Sequence, residues 1–162
     1  MGVTLNADEM FEIAEQIERN GAKFYRAAAQ KFSEVNQLLL DLAAMEDEHL
    51  KVFQDMRAQL TSKEQQPDVF DPENQAQMYL RVMADGHVFD IKTDPVEKLP
   101  GIKKPEDVLK FALGIERDSI AYYVGLKEFV PARAGRDKVE DIIREEMKHI
   151  VVINEKLAAL KN

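Results

Sequence analysis

Four long segments of the chain repeat apolar residues at steps of three and four, the spacing of one face of an α-helix. No segment alternates apolar and polar residues with period two, so we expect little β structure. Asp8 is a suitable N-cap for the first helix, and Pro105 suits the first turn of the third. The four predicted helices run from about Asp8 to Phe32, from about Asn36 to Leu60, from near Pro105 and from near Asp137.

The connections between these segments differ in length. "SEVN" and "PARAGR" are short, so the first two segments are predicted to form one antiparallel hairpin and the last two another. Residues 61–104 are too many for a bare loop. Within them, "DPENQAQMYLRVMADG" predicts a short extra helix with Asp71 as cap, Pro72 in the first turn and Gly86 at the stop. The following "DIKTDPVEKLPGIKKP" reads as an irregular connection.

Two helical hairpins joined by one long crossover are the ferritin-like version of a four-helix bundle. The predicted fold class is therefore all-α, and residues 1–162 are expected to form one domain whose crossover is residues 61–104.

Charged residues interrupt the apolar seam of each long helix near its middle. The second seam contains Glu46 and His49, and the fourth contains Glu146 and His149. Residues three apart share a helix face, so each Glu-x-x-His pair projects into one space. The first and third seams each carry a single glutamate, followed two turns later by tyrosine: Glu18 with Tyr25, and Glu116 with Tyr123.

The two halves of the chain repeat this pattern. "ERNGAKFY" and "ERDSIAYY" align from Glu18 and Glu116. The separation from Glu18 to Glu46 is 28 residues, and that from Glu116 to Glu146 is 30. The chain thus reads as a duplicated helical hairpin.

Burial of four unpaired carboxylates would cost several kcal/mol each, against a net domain stability of roughly 5–15 kcal/mol. The carboxylates must be protonated, paired with cations or bound to metal, and the seams hold no Lys or Arg near them. Two divalent ions would balance four glutamates and two neutral histidines. The competing interpretation, ordinary surface glutamates, does not explain why two of the three histidines repeat Glu-x-x-His in corresponding seams.

Other aromatic, histidine and charged residues carry weaker signals. Tyr25 and Tyr123 are either core residues or hydrogen-bond donors to the seam carboxylates, and Phe24 and Tyr122 are expected to be plain packing. His87 lacks the pattern and is expected to be satisfied or exposed near a helix end. The remaining charges are expected on solvated faces, among them Glu12, Glu15, Glu48, Asp118 and Glu145.

Composition narrows the classes of function. The net charge is −8 and Lys and Arg are not clustered, so nucleic acid is not an expected partner. No apolar run approaches about 18 residues, and the first residues lack a signal-peptide core, so no membrane association and a cytoplasmic location are expected. The absence of cysteine excludes disulfides, thiol nucleophiles, iron–sulfur clusters and Cys-ligated zinc.

The sequence resembles the rubrerythrin branch of the ferritin-like family over about residues 8–159. The resemblance rests on Glu18 followed by "FY", "LAAMEDEHLKVF", Glu116 followed by "YY", and "IIREEMKHI". It implies that six residues bind two iron ions, that Glu46 and Glu146 bridge the ions, and that each histidine is a terminal ligand. The six implied ligands are Glu18, Glu46, His49, Glu116, Glu146 and His149.

Two departures from rubrerythrins bear on function. A rubredoxin domain with Cys-x-x-Cys pairs is missing, so electrons would come from a separate redox partner protein. Ser119 stands where peroxide-reducing rubrerythrins usually carry a further carboxylate. The remaining set of four Glu and two His is similar to the ferroxidase centre of bacterioferritin, although the crossover and the "FY" and "YY" pairs do not favour a cage.

The resemblance implies a di-iron oxidoreductase that reacts with hydrogen peroxide or oxygen. The alternatives are iron binding, storage or delivery without turnover, and a structural bundle whose site holds zinc or stays empty. Manganese is also a reasonable occupant of a carboxylate-rich site. A crossover of this length would allow hairpins to exchange between subunits, so a homodimer is expected.

Overall fold

The computed structural model describes residues 6–62, 73, 75–85 and 92–161, without the side chains at 76 and 85. This part of the chain contains α-helices and short 3-10 helices and no strand, as predicted. The α-helices are α1 (Ala7–Lys31), α2 (Asn36–Ala58), α3 (Gln75–Asp85), α4 (Pro105–Phe129) and α5 (Arg136–Leu160). The 3-10 helices are Ser33–Val35, Pro95–Gly101 and Ala132–Ala134.

The four long helices form two hairpins packed side by side. Helix α1 packs along α2 and α4 along α5, while α1 also contacts α4 and α2 contacts α5. The two 3-10 turns Ser33–Val35 and Ala132–Ala134 make the hairpin connections. The second connection ends at Gly135, whose φ of 103° lies in the left-handed region that glycine tolerates best. The predicted ferritin-like bundle is confirmed.

The start of α1 differs from the prediction. Its N-cap is Asn6 and not Asp8: the Asn6 side-chain oxygen accepts from the Glu9 N–H, and the Glu9 carboxylate accepts from the Asn6 N–H, each at 2.9 Å. This capping box satisfies two backbone donors at once, which Asp8 could not do from its own position. Asp8 instead accepts two hydrogen bonds from the Arg57 guanidinium, both at 2.9 Å, and so ties α1 to the end of α2.

The crossover contains more regular structure than the sequence indicated. Helix α3 confirms the predicted extra helix, whereas its proposed cap and stop residues lie outside the described residues. The connection that the sequence predicted to be irregular includes the 3-10 helix Pro95–Gly101. Asp94 caps this helix by accepting a hydrogen bond from the Val96 N–H at 3.0 Å. Lys31 then donates to the carbonyl oxygens of Leu99 and Ile102, at 2.6 and 2.7 Å, and fastens this segment to the end of α1.

Helix α3 lies against α4 at a glycine. A Cβ atom at Gly125 would come within 2.7 Å of the side chains of Tyr79 and Leu80, so glycine permits this close approach. The Tyr79 hydroxyl donates to the Ala121 carbonyl oxygen at 2.6 Å. The crossover is thus held to the bundle both at α3 and at the 3-10 helix Pro95–Gly101.

Two apolar clusters fill the two ends of the bundle. One is built around Phe11, Phe53, Tyr122 and Val139, and the other around Phe24, Leu39, Leu109 and Ile153. Along each long helix the charged seam residues fall between these clusters. No described helix has both the length and the apolar character needed to cross a bilayer.

The capping box at Asn6 gives a direct test of the helix start. Replacing Asn6 by Ala should lower the free energy of unfolding by about 1 kcal/mol, because the Glu9 N–H loses its side-chain acceptor. Urea unfolding measures the change. Asn6→Asp is the matched control, since it keeps the side-chain acceptor and should stay near the wild type. Equal losses in both variants would show that the cap does not depend on this acceptor.

Candidate metal centre

All six predicted ligands meet in the middle of the bundle. They are fully or almost fully buried, and none is more than 6% exposed. Each long helix contributes: α1 supplies Glu18, α4 supplies Glu116, and α2 and α5 each supply one Glu-x-x-His pair. Among the described residues, these four glutamates contact histidines, tyrosines and one another, not Lys or Arg. The carboxylates are therefore buried without a permanent cation.

The six residues form two overlapping groups of potential ligands. One group is Glu18, Glu46, His49 and Glu146, and the other is Glu46, Glu116, Glu146 and His149. Within each group, one ligand atom from every residue lies within 4.8 Å of the others. Glu46 and Glu146 belong to both groups, which is the arrangement that two carboxylates shared by two ions require. The assignment of these residues as metal ligands remains a prediction.

Unpartnered atoms in the cluster fit bound cations. In the described part of the protein, four potential ligand atoms of these residues are buried and have no hydrogen-bond partner: Glu18 Oε2, Glu46 Oε1, His49 Nδ1 and Glu146 Oε1. An unsatisfied buried polar atom costs about 1–3 kcal/mol. Carboxylate oxygens with imidazole nitrogens form a donor set that suits iron or manganese. The residues present therefore fit a pair of divalent ions.

Both histidine rings turn the same nitrogen toward the carboxylates. His49 Nδ1 lies 3.2 Å from Glu146 Oε1 and 3.7 Å from Glu18 Oε2. His149 Nδ1 lies 2.8 Å from Glu146 Oε2 and 3.3 Å from Glu116 Oε2. The rings are stacked, with centroids 5.7 Å apart. Each histidine is thus placed to bind through Nδ1 in its neutral form.

The pKa values of the buried carboxyl groups are shifted in opposite directions. Burial raises the pKa of Glu46 and of Glu116, and the nearby charge of Glu146 raises both further. Burial also opposes ionisation of Glu146, but close contacts with Glu116, His149 and His49 outweigh it and lower the pKa of Glu146. Glu146 is therefore the ionised centre of the metal-free cluster.

The histidines hold protons strongly when no metal is bound. Burial alone would lower the pKa of His49, but contacts with Glu146 and Glu18 outweigh it and raise this pKa to about 11. For His149 the contacts with Glu116 and Glu146 likewise exceed the effect of burial and raise the pKa to about 9. Protons thus supply the positive charge that metal ions would otherwise bring.

The two seam tyrosines bind carboxylates across the hairpins. The Tyr25 hydroxyl on α1 donates to Glu116 Oε1 on α4 at 2.5 Å, and the Tyr123 hydroxyl on α4 donates to Glu18 Oε1 on α1. Burial and neighbouring carboxylates raise the pKa of both tyrosines well above the ordinary value, so both remain donors. The crosswise pairing was not apparent from sequence, because each tyrosine is nearest in the chain to the other glutamate.

Small residues make space beside the cluster. Gly21 follows Glu18 by one turn, and a Cβ atom there would lie 3.4 Å from Glu46 Cδ. Ser119 occupies the corresponding position after Glu116, and its hydroxyl donates to the Ile115 carbonyl oxygen at 3.0 Å. Ser119 therefore turns back to its own helix. Tyr122 behaves similarly as packing, with its hydroxyl donating to the Met10 carbonyl oxygen at 2.9 Å.

Two residues expected on solvated faces make contacts that the sequence did not predict. Glu15 is only 4% exposed and lies 2.9 Å from Arg19 and 3.5 Å from Arg57. Glu145 lies beside the cluster, with Oε2 at 2.8 Å from His49 Nε2. In the sequence, only the position of Glu145 next to Glu146 indicates that it could contact the cluster. A residue at the edge of one seam can reach the facing helix. His87 lies outside the described residues.

The crosswise tyrosine bonds should support metal affinity. Tyr25→Phe and Tyr123→Phe each remove one donor to a ligand carboxylate, and loss of such outer contacts typically weakens metal binding about 10–100-fold. Tyr122→Phe is the matched control, because it loses an equally buried hydroxyl that bonds to a backbone carbonyl. Titration of the metal-free protein with Mn²⁺ would show the difference. Equal affinities in all three variants would contradict this role.

The metal-free protein should lose stability as the pH rises above neutrality. A folded-state pKa above the unfolded value of 6.5 stabilises the fold fully below that value, and the contribution disappears as pH rises through about 9 for His149 and about 11 for His49. The raised pKa values of Glu46 and Glu116 act in the same direction.

Urea unfolding of metal-stripped protein at pH 6.5 and pH 9 measures this change. Cysteine is absent and His87 is the only other histidine, so few other side chains titrate in this interval. Metal-loaded protein is the control, because its ligands have already given up their protons. A constant or rising stability of the stripped protein would contradict the prediction.

Comparison with known proteins supports the architecture. No protein-family profile and no curated protein match the sequence. A crystal structure from Thermotoga maritima, described as that of a candidate ferritin-like diiron-carboxylate protein, superposes with a TM-score of 0.75. The two chains are 24% identical, and the similarity covers 98% of each. The chain therefore has the ferritin-like helical fold, with a buried Glu/His cluster at its centre.

Proposed function

We propose that this protein is a non-haem di-iron oxidoreductase that reacts with hydrogen peroxide or oxygen and is re-reduced by a separate electron donor. The observation that carries the proposal is the pair of overlapping ligand groups that share Glu46 and Glu146. The diiron-carboxylate description of the similar Thermotoga structure supports the choice of metal.

The ligand set divides into shared and terminal residues. Glu46 and Glu146 would hold both ions, Glu18 and His49 one ion, and Glu116 and His149 the other. Each terminal glutamate has one oxygen, Oε1, engaged by a tyrosine. The other oxygen of Glu18 has no partner, and that of Glu116 lies beside His149. The tyrosines thus favour binding of each terminal glutamate through a single oxygen.

Two ferrous ions in this site would supply the two electrons that reduce one peroxide molecule, with two protons, to two water molecules. The protein would fix the separation of the ions through the shared carboxylates. The apolar clusters on both sides would limit the access of water. The raised pKa values of Glu46, His49, Glu116 and His149 indicate that metal binding displaces up to four protons.

Ser119 favours a fixed six-residue ligand set. A carboxylate at this position would offer one ion a second place to bind, but the serine hydroxyl is committed to the Ile115 carbonyl oxygen. Oxidation of ferrous iron in place, as in the bacterioferritin ferroxidase centre, is therefore the better fit. Iron binding, storage or delivery without turnover is the second candidate, because a chain without cysteine has no thiolate redox centre to return electrons to the site.

Iron content and peroxide reactivity test the proposal. Protein from iron-supplemented cells should contain about two iron ions per chain by elemental analysis. After anaerobic loading with Fe²⁺, addition of one equivalent of peroxide should consume the ferrous iron of both positions, as measured with a ferrous-specific chelator. Repeated cycles after re-reduction with ascorbate would support an enzyme. A single stoichiometric oxidation would support storage or delivery.

Variants separate the shared ligands from the terminal ones. Glu46→Gln should weaken both metal positions, whereas Glu18→Gln should weaken one. Glu48→Gln, an exposed change on the same helix, is the control. One tightly held zinc ion, or no metal together with greater stability of the Glu46→Leu and Glu146→Leu variants, would instead identify a structural bundle.

A further inference from the structure

The two halves of the cluster differ in the residue that precedes the shared glutamate. His49 Nε2 lies 2.8 Å from Glu145 Oε2, and Glu145 is the residue before Glu146. In the duplicated hairpin the corresponding residue is Met45, which precedes Glu46. His149 Nε2 is buried and has no hydrogen-bond partner among the described residues. The carboxylate that contacts one histidine is thus missing for the other.

This difference bears on how firmly each imidazole is held. A histidine that binds metal through one ring nitrogen is oriented and made more basic when a carboxylate accepts a hydrogen bond from the other nitrogen. Glu145 is placed to do this for His49. A methionine thioether is only a weak acceptor, so Met45 offers no equivalent support to His149.

We propose that Glu145 is a positioning residue that makes the two metal positions unequal. The position formed with Glu18 and His49 binds a divalent cation more tightly, and fills first. The position formed with Glu116 and His149 fills second. This inference rests on the proposed binding of two metal ions and adds an order to it.

The surroundings of Glu145 make the inference testable without disturbing the core. Its side chain is 40% exposed, whereas that of His49 is 2% exposed. Glu145 and His49 line an open cavity of about 370 Å³ between α2 and α5, together with Glu48, Asp55 and Lys138. Met45 is also exposed, at 36%. Substitution of Glu145 or Met45 therefore removes no fully buried apolar side chain.

Titration of the metal-free protein with Co²⁺ alone, by calorimetry and visible absorption, measures both binding steps without any redox reaction. The wild type should show two distinct steps. Glu145→Ala should weaken the first step about 10–100-fold, which is the usual effect of losing such a partner, and leave the second unchanged. Glu145→Gln, which keeps an acceptor for His49 without the charge, should recover part of the loss.

Two further variants complete the experiment. Met45→Glu should strengthen the second step by placing a carboxylate near His149. Glu48→Gln, which changes a carboxylate of the same cavity, should alter neither step. Thermal unfolding of each metal-free variant verifies that the fold is retained.

The outcomes separate this inference from the proposed function. Two Co²⁺ ions bound with equal affinity, or a Glu145→Ala variant with both steps unchanged, would overturn the inference while metal binding stands. An unchanged second step in Met45→Glu would also contradict it. No binding of Co²⁺ by the wild type would overturn both the inference and the proposed metal site.

Discussion

The structure depends on the neutralisation of four carboxylates buried at the centre of a helical bundle. Isolated charges in such surroundings are too costly to keep, and no lysine or arginine of the described residues pairs with them. In the metal-free protein, the raised pKa values of both histidines and of Glu46 and Glu116 favour their protonated forms, which reduces the net negative charge. Two divalent ions would neutralise the same carboxylates, which makes protons and metal ions competitors for one space.

The remainder of the fold surrounds this polar layer. Apolar clusters close it on both sides, so that water has little access along the bundle. Tyr25 and Tyr123 cross between the hairpins and bind a carboxylate on the opposite one. Arg57 and Lys31 tie the ends of α1 to neighbouring segments without entering the layer. Packing, hydrogen bonding and charge therefore all hold the same four helices in register.

Much of this could be predicted because helical periodicity is a local property. The spacing of apolar residues placed the four long helices to within about two residues at their described ends. The same spacing put each Glu-x-x-His pair on a buried face. Burial of these carboxylates requires a compensating positive charge. The repetition of Glu-x-x-His in both halves indicated that metal ions supply this charge.

The features that were missed depend on contacts between elements. Asn6 and Asp8 are equally good N-caps by type, and only the reciprocal bond with Glu9 decides between them. Glu145 lies at the edge of its seam, so its contact with His49 depends on the rotation of α5 against α2. The 3-10 helix Pro95–Gly101 is held by Lys31 from a distant part of the chain, which no local pattern reveals.

The duplication of the hairpin has a further consequence for how the protein assembles. One ligand group contains three residues of the first hairpin and Glu146 of the second. The other group contains three residues of the second hairpin and Glu46 of the first. Neither hairpin alone encloses a complete site, so the centre forms only when the two halves dock. Because both halves belong to one continuous chain, their sequences need not be identical. Residues such as Met45 and Glu145 can therefore differ while the ligand positions are the same in both halves.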